Sequence, residues 1–278
     1  MTDPRRDIGV AADTVKACCA AAYDNDVVSL LLGESYHPGG LGLTRRLAHA
    51  LGLRPGQKVL DVACGPGATA CLLASDFGVL VDGLDLGGSS LARARRRAAD
   101  QGLEGRVRFQ LGDAERLPFD AGVFDAIVCE CAFCTFPDKA QASAEFARVL
   151  RPGGRLGLTD VVLDPARLDP VLATLAGYVA CIADARPAAE YASLLADAGL
   201  VVILSEPHDE ALAAMIDQIE CRLRVLAMVG PIGDGVDLDA VLHYTAAAAR
   251  AVAGGDAGYQ LMVAQRSSPS TAALGRNQ

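Results

Sequence analysis

The sequence predicts a doubly wound α/β fold on a mostly parallel, seven-stranded sheet, and three observations predict it. An apolar segment, Val59-Leu60-Asp61-Val62, runs straight into the turn Cys64-Gly65-Pro66-Gly67 and then into a helical stretch opening at Ala68-Thr69. Strand-like and helix-like segments then alternate to about residue 163. Such alternation places helices on both faces of a parallel sheet and a ligand site at the carboxyl ends of the strands. Finally, Leu200 to Leu204 and Tyr259 to Ala264 read as two more strands, the last as an antiparallel edge.

Taken in order, residues 8 to 34 read as helix, with Val10, Thr14, Val15, Cys18 and Ala22 at helical spacing and Gly33 near the end. Residues 1–44 are therefore expected to be a helical cap. His37-Pro38-Gly39-Gly40 is a turn, and Leu41 to Leu51 is a helix leading into Arg54-Pro55-Gly56-Gln57, which introduces the first strand. Further strands are expected at Val81 to Leu86, around Phe109, and at Phe124 to Val128. Beyond Asp160 come an apolar helix around 168 to 183, a helix from Ala188 to Ala198 stopped by Gly199, and helices at 208 to 229 and 238 to 253. The main domain thus spans 45–266 with a helical insertion over 208–253 placed to cover the site, and the polar tail 267–278 reads as disordered.

Composition narrows the function. A chain of 278 residues that is 51% hydrophobic builds a substantial core, and a net charge of −9 disfavours nucleic acid, whose binding needs a basic surface. The basic run at Arg93, Arg95, Arg96 and Arg97 reads as a solvated helix face. Val171 to Ala183 is too short and interrupted to span a bilayer, and Met1 to Arg6 lacks the apolar core of a secretory signal, so a cytoplasmic protein with no membrane partner is expected. The nine cysteines, odd in number and irregularly spaced, fit reduced thiols.

The glycine-rich turn admits two cofactor classes. Gly65, Gly67 and Ala70 satisfy Gly-x-Gly-x-x-Gly/Ala, and Asp85 supplies an acid at the interval a dinucleotide site needs. The downstream segments favour the other class. The ordered set Val81-Asp82-Gly83-Leu84-Asp85-Leu86, Phe109-Gln110-Leu111-Gly112-Asp113-Ala114-Glu115, Leu117-Pro118-Phe119, Phe124 to Val128 and Val149 to Gly154 resembles class I S-adenosylmethionine-dependent methyltransferases over about residues 45 to 165. The resemblance implies a Rossmann-like fold with S-adenosyl-L-methionine as cofactor. It places Asp61 near the methionine end, Asp85 on the ribose hydroxyls and Asp113 with Ala114 on the adenine edge, with Ala63, Gly65, Gly67, Leu86 and Cys129 completing the cradle. Aspartates at strand ends are also favoured as turn and cap residues without any ligand.

The fourth strand runs into Cys129-Glu130-Cys131-Ala132-Phe133-Cys134, where the acceptor of such an enzyme sits. If the strand continues, Cys129 and Cys131 share a face, and Cys131 with Cys134 forms Cys-x-x-Cys. Cys131 through Pro137-Asp138-Lys139, and Cys181 ahead of Asp184-Ala185, resemble the corresponding regions of arsenite methyltransferases. That resemblance implies Cys131 and Cys181 as thiolate ligands of a trivalent metalloid substrate and a cellular thiol as reductant; a third thiol would come from Cys18 or Cys19 if the N-terminal helix folds over the site, or from Cys129 or Cys134. Soft arsenic bound by thiolates keeps a lone pair for the transferred methyl. Glu34 stands where many of that family have a further cysteine. Cys64, Cys71 and Cys221 read as small core residues. Other readings stay open: a different soft element, a small organic acceptor with cysteines as packing, or a thiol sensor that binds the cofactor without turnover.

Overall fold

The computed structural model describes residues 11–24, 26–33, 35–172, 182, 184–229 and 238–268. Seven strands form one sheet in the order β3-β2-β1-β4-β5-β7-β6: β1 Lys58–Val62, β2 Leu80–Asp85, β3 Val107–Leu111, β4 Phe124–Glu130, β5 Leu150–Leu163, β6 Leu200–Pro207 and β7 Ala257–Arg266. The first five pair in parallel, with Asp61 in register with Gly83 on one side and Val128 on the other. The strand order reverses beside β1, and the carboxyl ends of β1, β2 and β4 open there into one crevice.

Nine helices are described: α1 Ala12–Tyr23, α2 Asp26–Leu32, α3 Gly40–Leu51, α4 Ala68–Phe77, α5 Gly88–Asp100, α6 Lys139–Val149, α7 Ala188–Asp197, α8 Asp209–Val229 and α9 Leu238–Ala253. Because side chains alternate along a strand, the sheet carries two cores. Val59, Val128, Val161 and Leu261 pack with Leu47 of α3, Leu73 of α4 and Leu91 of α5 on one face. Leu60, Ile127, Leu158 and Met262 pack with Phe146 of α6 and Tyr191 of α7 on the other. A third, small cluster gathers Leu172 with Ile216 of α8 and Ala247 and Ala248 of α9.

Three expectations need correction. The last strand, β7, is antiparallel but not an edge: it lies between β5 and β6, and β6 is the edge. The expected long N-terminal helix is two helices, α1 and α2. Of the helix expected at 168 to 183, residues 168–172 are irregular, while 173–181 lie outside the described residues, as do 269–278 of the tail. No described helix is long and apolar enough to cross a membrane.

Candidate active site

Asp61 follows Val59 onto the face of β1 that meets α3 and α4, and the turn beyond it bends through left-handed backbone at Ala63, Gly65 and Gly67. At Gly67 this is obligatory twice over. A β-carbon there would stand 2.8 Å from both Ala94 Cβ and Phe109 Cζ, so the glycine is what lets α4 start against α5. Gly67 therefore serves packing, while Ala63, Gly65, Asp61, Asp85, Leu86, Asp113 and Ala114 all line one cleft.

The three aspartates differ in what already holds them. Asp85 is a staple: its Oδ2 accepts the Gly65 N–H at 2.8 Å and its Oδ1 the Gly87 N–H at 2.7 Å, fixing the turns after β1 and β2 against each other. Asp113 accepts the Glu115 N–H at 2.9 Å and the Lys16 ammonium at 2.7 Å. Asp61 is fully enclosed, and its Oδ2 has no hydrogen-bond partner among the described residues. Burial, reinforced by the nearby Glu130 and Asp85 carboxylates, holds the Asp61 carboxyl well above the ordinary carboxylate range. An orphaned, buried acceptor beside two more carboxylates is a place for a cation.

Glu130 and Lys16, to which sequence reasoning gave no role, line the same cleft together with His37. Glu130, the last residue of β4, accepts from Thr69 Oγ1 at 2.6 Å and Thr44 Oγ1 at 3.0 Å, and its Oε2 lies 3.4 Å from His37 Nε2. His37 is buried in this network, with Nδ1 3.2 Å from the Pro38 carbonyl oxygen. Glu130 carried a readable signal, being a carboxylate at a strand's carboxyl end. Lys16 and Asp24 carried none, because their partners lie far along the chain.

Lys16 bridges Asp113 and Glu115 at the rim of the cleft. At the other end of α1, Asp24 Oδ1 accepts from Ser90 N and Ser90 Oγ, both at 2.8 Å, and Oδ2 from Ser89 N at 3.2 Å. Asp24 thereby caps α5 from outside, a job the helix's own Gly87 does not do. Arg93 donates to the Tyr23 and Asp24 carbonyls, and Arg95 to that of Phe109, so these two arginines of the basic run are not simply solvated. Burial opposes ionisation of Asp24, but the Ser90 and Ser89 hydrogen bonds win and hold its carboxyl below the usual 3.8. Asp24→Ala is expected to cost about 1 kcal/mol, as loss of a cap does. For a carboxyl lowered in the folded state, that contribution is present above the unfolded value and lost as pH falls through the folded one. Urea unfolding of both proteins at neutral pH and in acid should show the gap closing.

Among the described cysteines, Cys19, Cys64 and Cys131 line the cleft, whereas Cys129 and Cys134 do not. Cys131 takes left-handed backbone, φ 53°, and ends the strand, its N–H donating to the Thr159 carbonyl at 2.7 Å. The alternation that would have put it beside Cys129 is therefore broken. Cys129 is sealed in the core on the opposite face of the sheet, does not line this cleft, and its thiol is pushed well up by burial and then by Asp160, away from the thiolate a metalloid needs. Cys134 is also buried, its N–H given to Asp160 Oδ2 at 2.9 Å. Cys19 lines the cleft and Cys18 does not. Cys64 and Cys71 are buried as expected, but Cys221 is exposed. Cys181 lies outside the described residues. Among the described residues no cluster of three His, Cys, Asp or Glu side chains could hold a metal ion.

A methyltransferase-domain family matches residues 59–154. Methyltransferase GfsG of Streptomyces halstedii is 40% identical over 139 residues, 50% of each chain. An arsenite methyltransferase of Halobacterium salinarum is 29% identical over 218 residues, 74% of this chain and 54% of that one. The match spans about half the length of the first curated relatives. Among solved structures, geranyl diphosphate C-methyltransferase from Streptomyces coelicolor, in complex with Mg2+, geranyl diphosphate and S-adenosyl-L-homocysteine, superposes with a TM-score of 0.73 over 92% of this chain and all of that one, at 17% identity. With the strand order, the glycine turn and the acidic cleft, residues 59–154 carry the match to a methyltransferase domain, on a chain with the class I methyltransferase fold.

Proposed function

We propose that the chain transfers a methyl group from S-adenosylmethionine to a small organic acceptor. The observation that carries this reading is the junction of two cavities. The cofactor cleft shares Tyr23, Tyr36 and Cys131 with a second chamber, roofed by α8 and α9 of the helical insertion. Donor and acceptor sites of a transferase must meet in this way, at one opening, for in-line attack.

The residues of the first cleft fit the cofactor. Asp61 offers its unpartnered Oδ2 to the ammonium, Asp85 retains lone pairs for the ribose hydroxyls, and Asp113 with Ala114 faces the adenine edge. The bound cofactor supplies an electrophilic methyl on a sulfonium. Glu130 and Asp61 surround that positive charge with carboxylates in a poorly solvated cleft, where such fields act strongly. A proton leaving the acceptor has a receiver in the His37 imidazole, which the Glu130 carboxylate 3.4 Å away stabilises once charged.

Arsenite is the second reading, favoured by the relative of that activity and by Cys131 at the junction. Against it stand the burial of Cys129 and Cys134. The test is methylation from labelled S-adenosylmethionine, with a panel of neutral alcohols and phenols beside arsenite plus glutathione, in the native protein and Cys181→Ser. Labelled organic product formed equally by both proteins, without methylated arsenic, is expected. Methylated arsenic lost on Cys181→Ser would transfer the assignment to arsenite.

A further inference from the structure

The second chamber is too specific in its chemistry to suit every acceptor. Its described wall is mostly aliphatic, led by Leu163 of β5, Leu212, Met215 and Ile219 of α8, and Val241 and Val252 of α9, with Tyr244 and Thr245 of α9 adding hydroxyl groups. Among the described residues only two charged ones line it, Arg167 and Asp256, and they are paired with each other. A phosphate, carboxylate or ammonium placed there would lose its water and find each opposite charge already engaged, which is costly. At about 250 Å³ the enclosed space still exceeds what a metalloid ion would fill.

At the mouth the chemistry changes. Tyr36 lines both cavities, its ring edge lies over Gly65 of the cofactor turn, and Tyr23 stacks on it with centroids 6.1 Å apart. Its hydroxyl is buried and has no hydrogen-bond partner among the described residues. Buried hydroxyls are nearly always satisfied, and a phenol can both donate and accept. Aliphatic walls behind it and a cofactor turn in front of it make the bound molecule the available partner.

We infer that the chamber takes an uncharged, hydrophobic molecule bearing a hydroxyl group, and that Tyr36 is the positioning residue that holds this hydroxyl at the cofactor cleft. This deepens the methyltransferase reading and rests on it. It separates the chain from enzymes whose acceptors carry phosphate or are metalloid ions.

The experiment uses the full chain and the neutral fluorescent probe N-phenylnaphthylamine, titrated with and without S-adenosylhomocysteine. Two variants address the wall at half-buried α8 positions, where a new side chain need not break the core: Ile219→Glu adds charge and Met215→Trp fills space. Saturable binding in the native protein is expected, weakened about tenfold or more by Ile219→Glu because the carboxylate meets an apolar wall. S-adenosylhomocysteine affinity, read by calorimetry, should stay within about twofold in both variants, since α8 does not line the first cleft. In competition, naphthol should displace the probe about fivefold better than methoxynaphthalene, the worth of one hydrogen bond, and Tyr36→Phe should erase that preference.

Three results would overturn the inference: probe binding unaffected by both wall variants, geranyl diphosphate or phosphoethanolamine displacing the probe as well as naphthol does, or the naphthol preference surviving in Tyr36→Phe. Failure of the methyltransferase reading looks different. There the native protein does not bind S-adenosylhomocysteine, whatever the probe does.

Discussion

Asp85→Ala is expected to weaken S-adenosylhomocysteine binding by at least about a hundredfold, on an estimate of about 1.5–3 kcal/mol for each charged hydrogen bond lost. Two ribose hydroxyls are proposed to donate to this carboxylate, and the turns that carry them depend on it as well. The Gly65 and Gly67 turn and the start of α5 meet through its two oxygens, at 2.8 and 2.7 Å. Asp85→Asn is not a gentle control, because its amide nitrogen would face a backbone N–H on one side or the other. The asparagine variant should therefore lose nearly as much as alanine. Burial holds the Asp85 carboxyl above the usual 3.8 although the Gly87 and Gly65 N–H groups pull the other way. Since only the ionised form accepts all these donors, affinity should fall as pH drops through that raised value. Calorimetry across the acid range reads both effects. A loss under about tenfold in Asp85→Ala would mean that the residue staples loops and does not hold the ribose.

The contrast between Asp85 and Cys131 shows what the sequence makes legible. Asp85 ends an apolar run at a fixed interval after a glycine turn, and both features follow from local periodicity, so the fold and the acidic cleft were readable residue by residue. Cys131 was placed by assuming that the strand goes on. The chain instead turns through left-handed backbone one residue after Glu130, which no local pattern at a cysteine announces. Gly67 gives an intermediate case: its need for positive φ was legible, but its β-carbon space is closed by Ala94 and Phe109, from two later elements. The position of β7 was illegible for a further reason. Strand patterns reveal that a strand exists and which face is buried, not which neighbours it pairs with, so an interior strand clad by β5 and β6 reads the same as an edge. Lys16 and Asp24 are beyond sequence reading because an exposed-looking helix reveals nothing of the acids and serines it crosses.

Lys139→Met is expected to destabilise the fold by about 3 kcal/mol or more, the usual cost of breaking a buried ion pair by removing one partner. Lys139 Nζ donates to Asp184 Oδ2 at 2.5 Å and to the Phe136 carbonyl at 3.1 Å, and the Lys139 and Asp184 side chains are only 7% and 3% exposed. Arg186 holds the other Asp184 oxygen at 2.5 Å, so the variant leaves the carboxylate with part of its partnership and sets the loss near the lower end of that range. Urea denaturation of Lys139→Met, Asp184→Asn and the double variant gives the coupling directly. A loss under about 1 kcal/mol would class the pair with exposed ones. The outcome also bears on what the Pro137-Asp138-Lys139 segment means. In sequence it supports a resemblance to arsenite methyltransferases; in the fold Asp138 caps α6 through the Gln141 N–H, and Lys139 ties the loop after β4 to the segment before α7. That tie fixes the loop bearing Cys131 at the mouth shared by the two cavities, which a methyltransferase needs whether its acceptor is an arsenic atom or a hydroxyl. In the fold the motif marks how the site is held, and on the inference drawn above the acceptor is selected by the chamber wall and Tyr36.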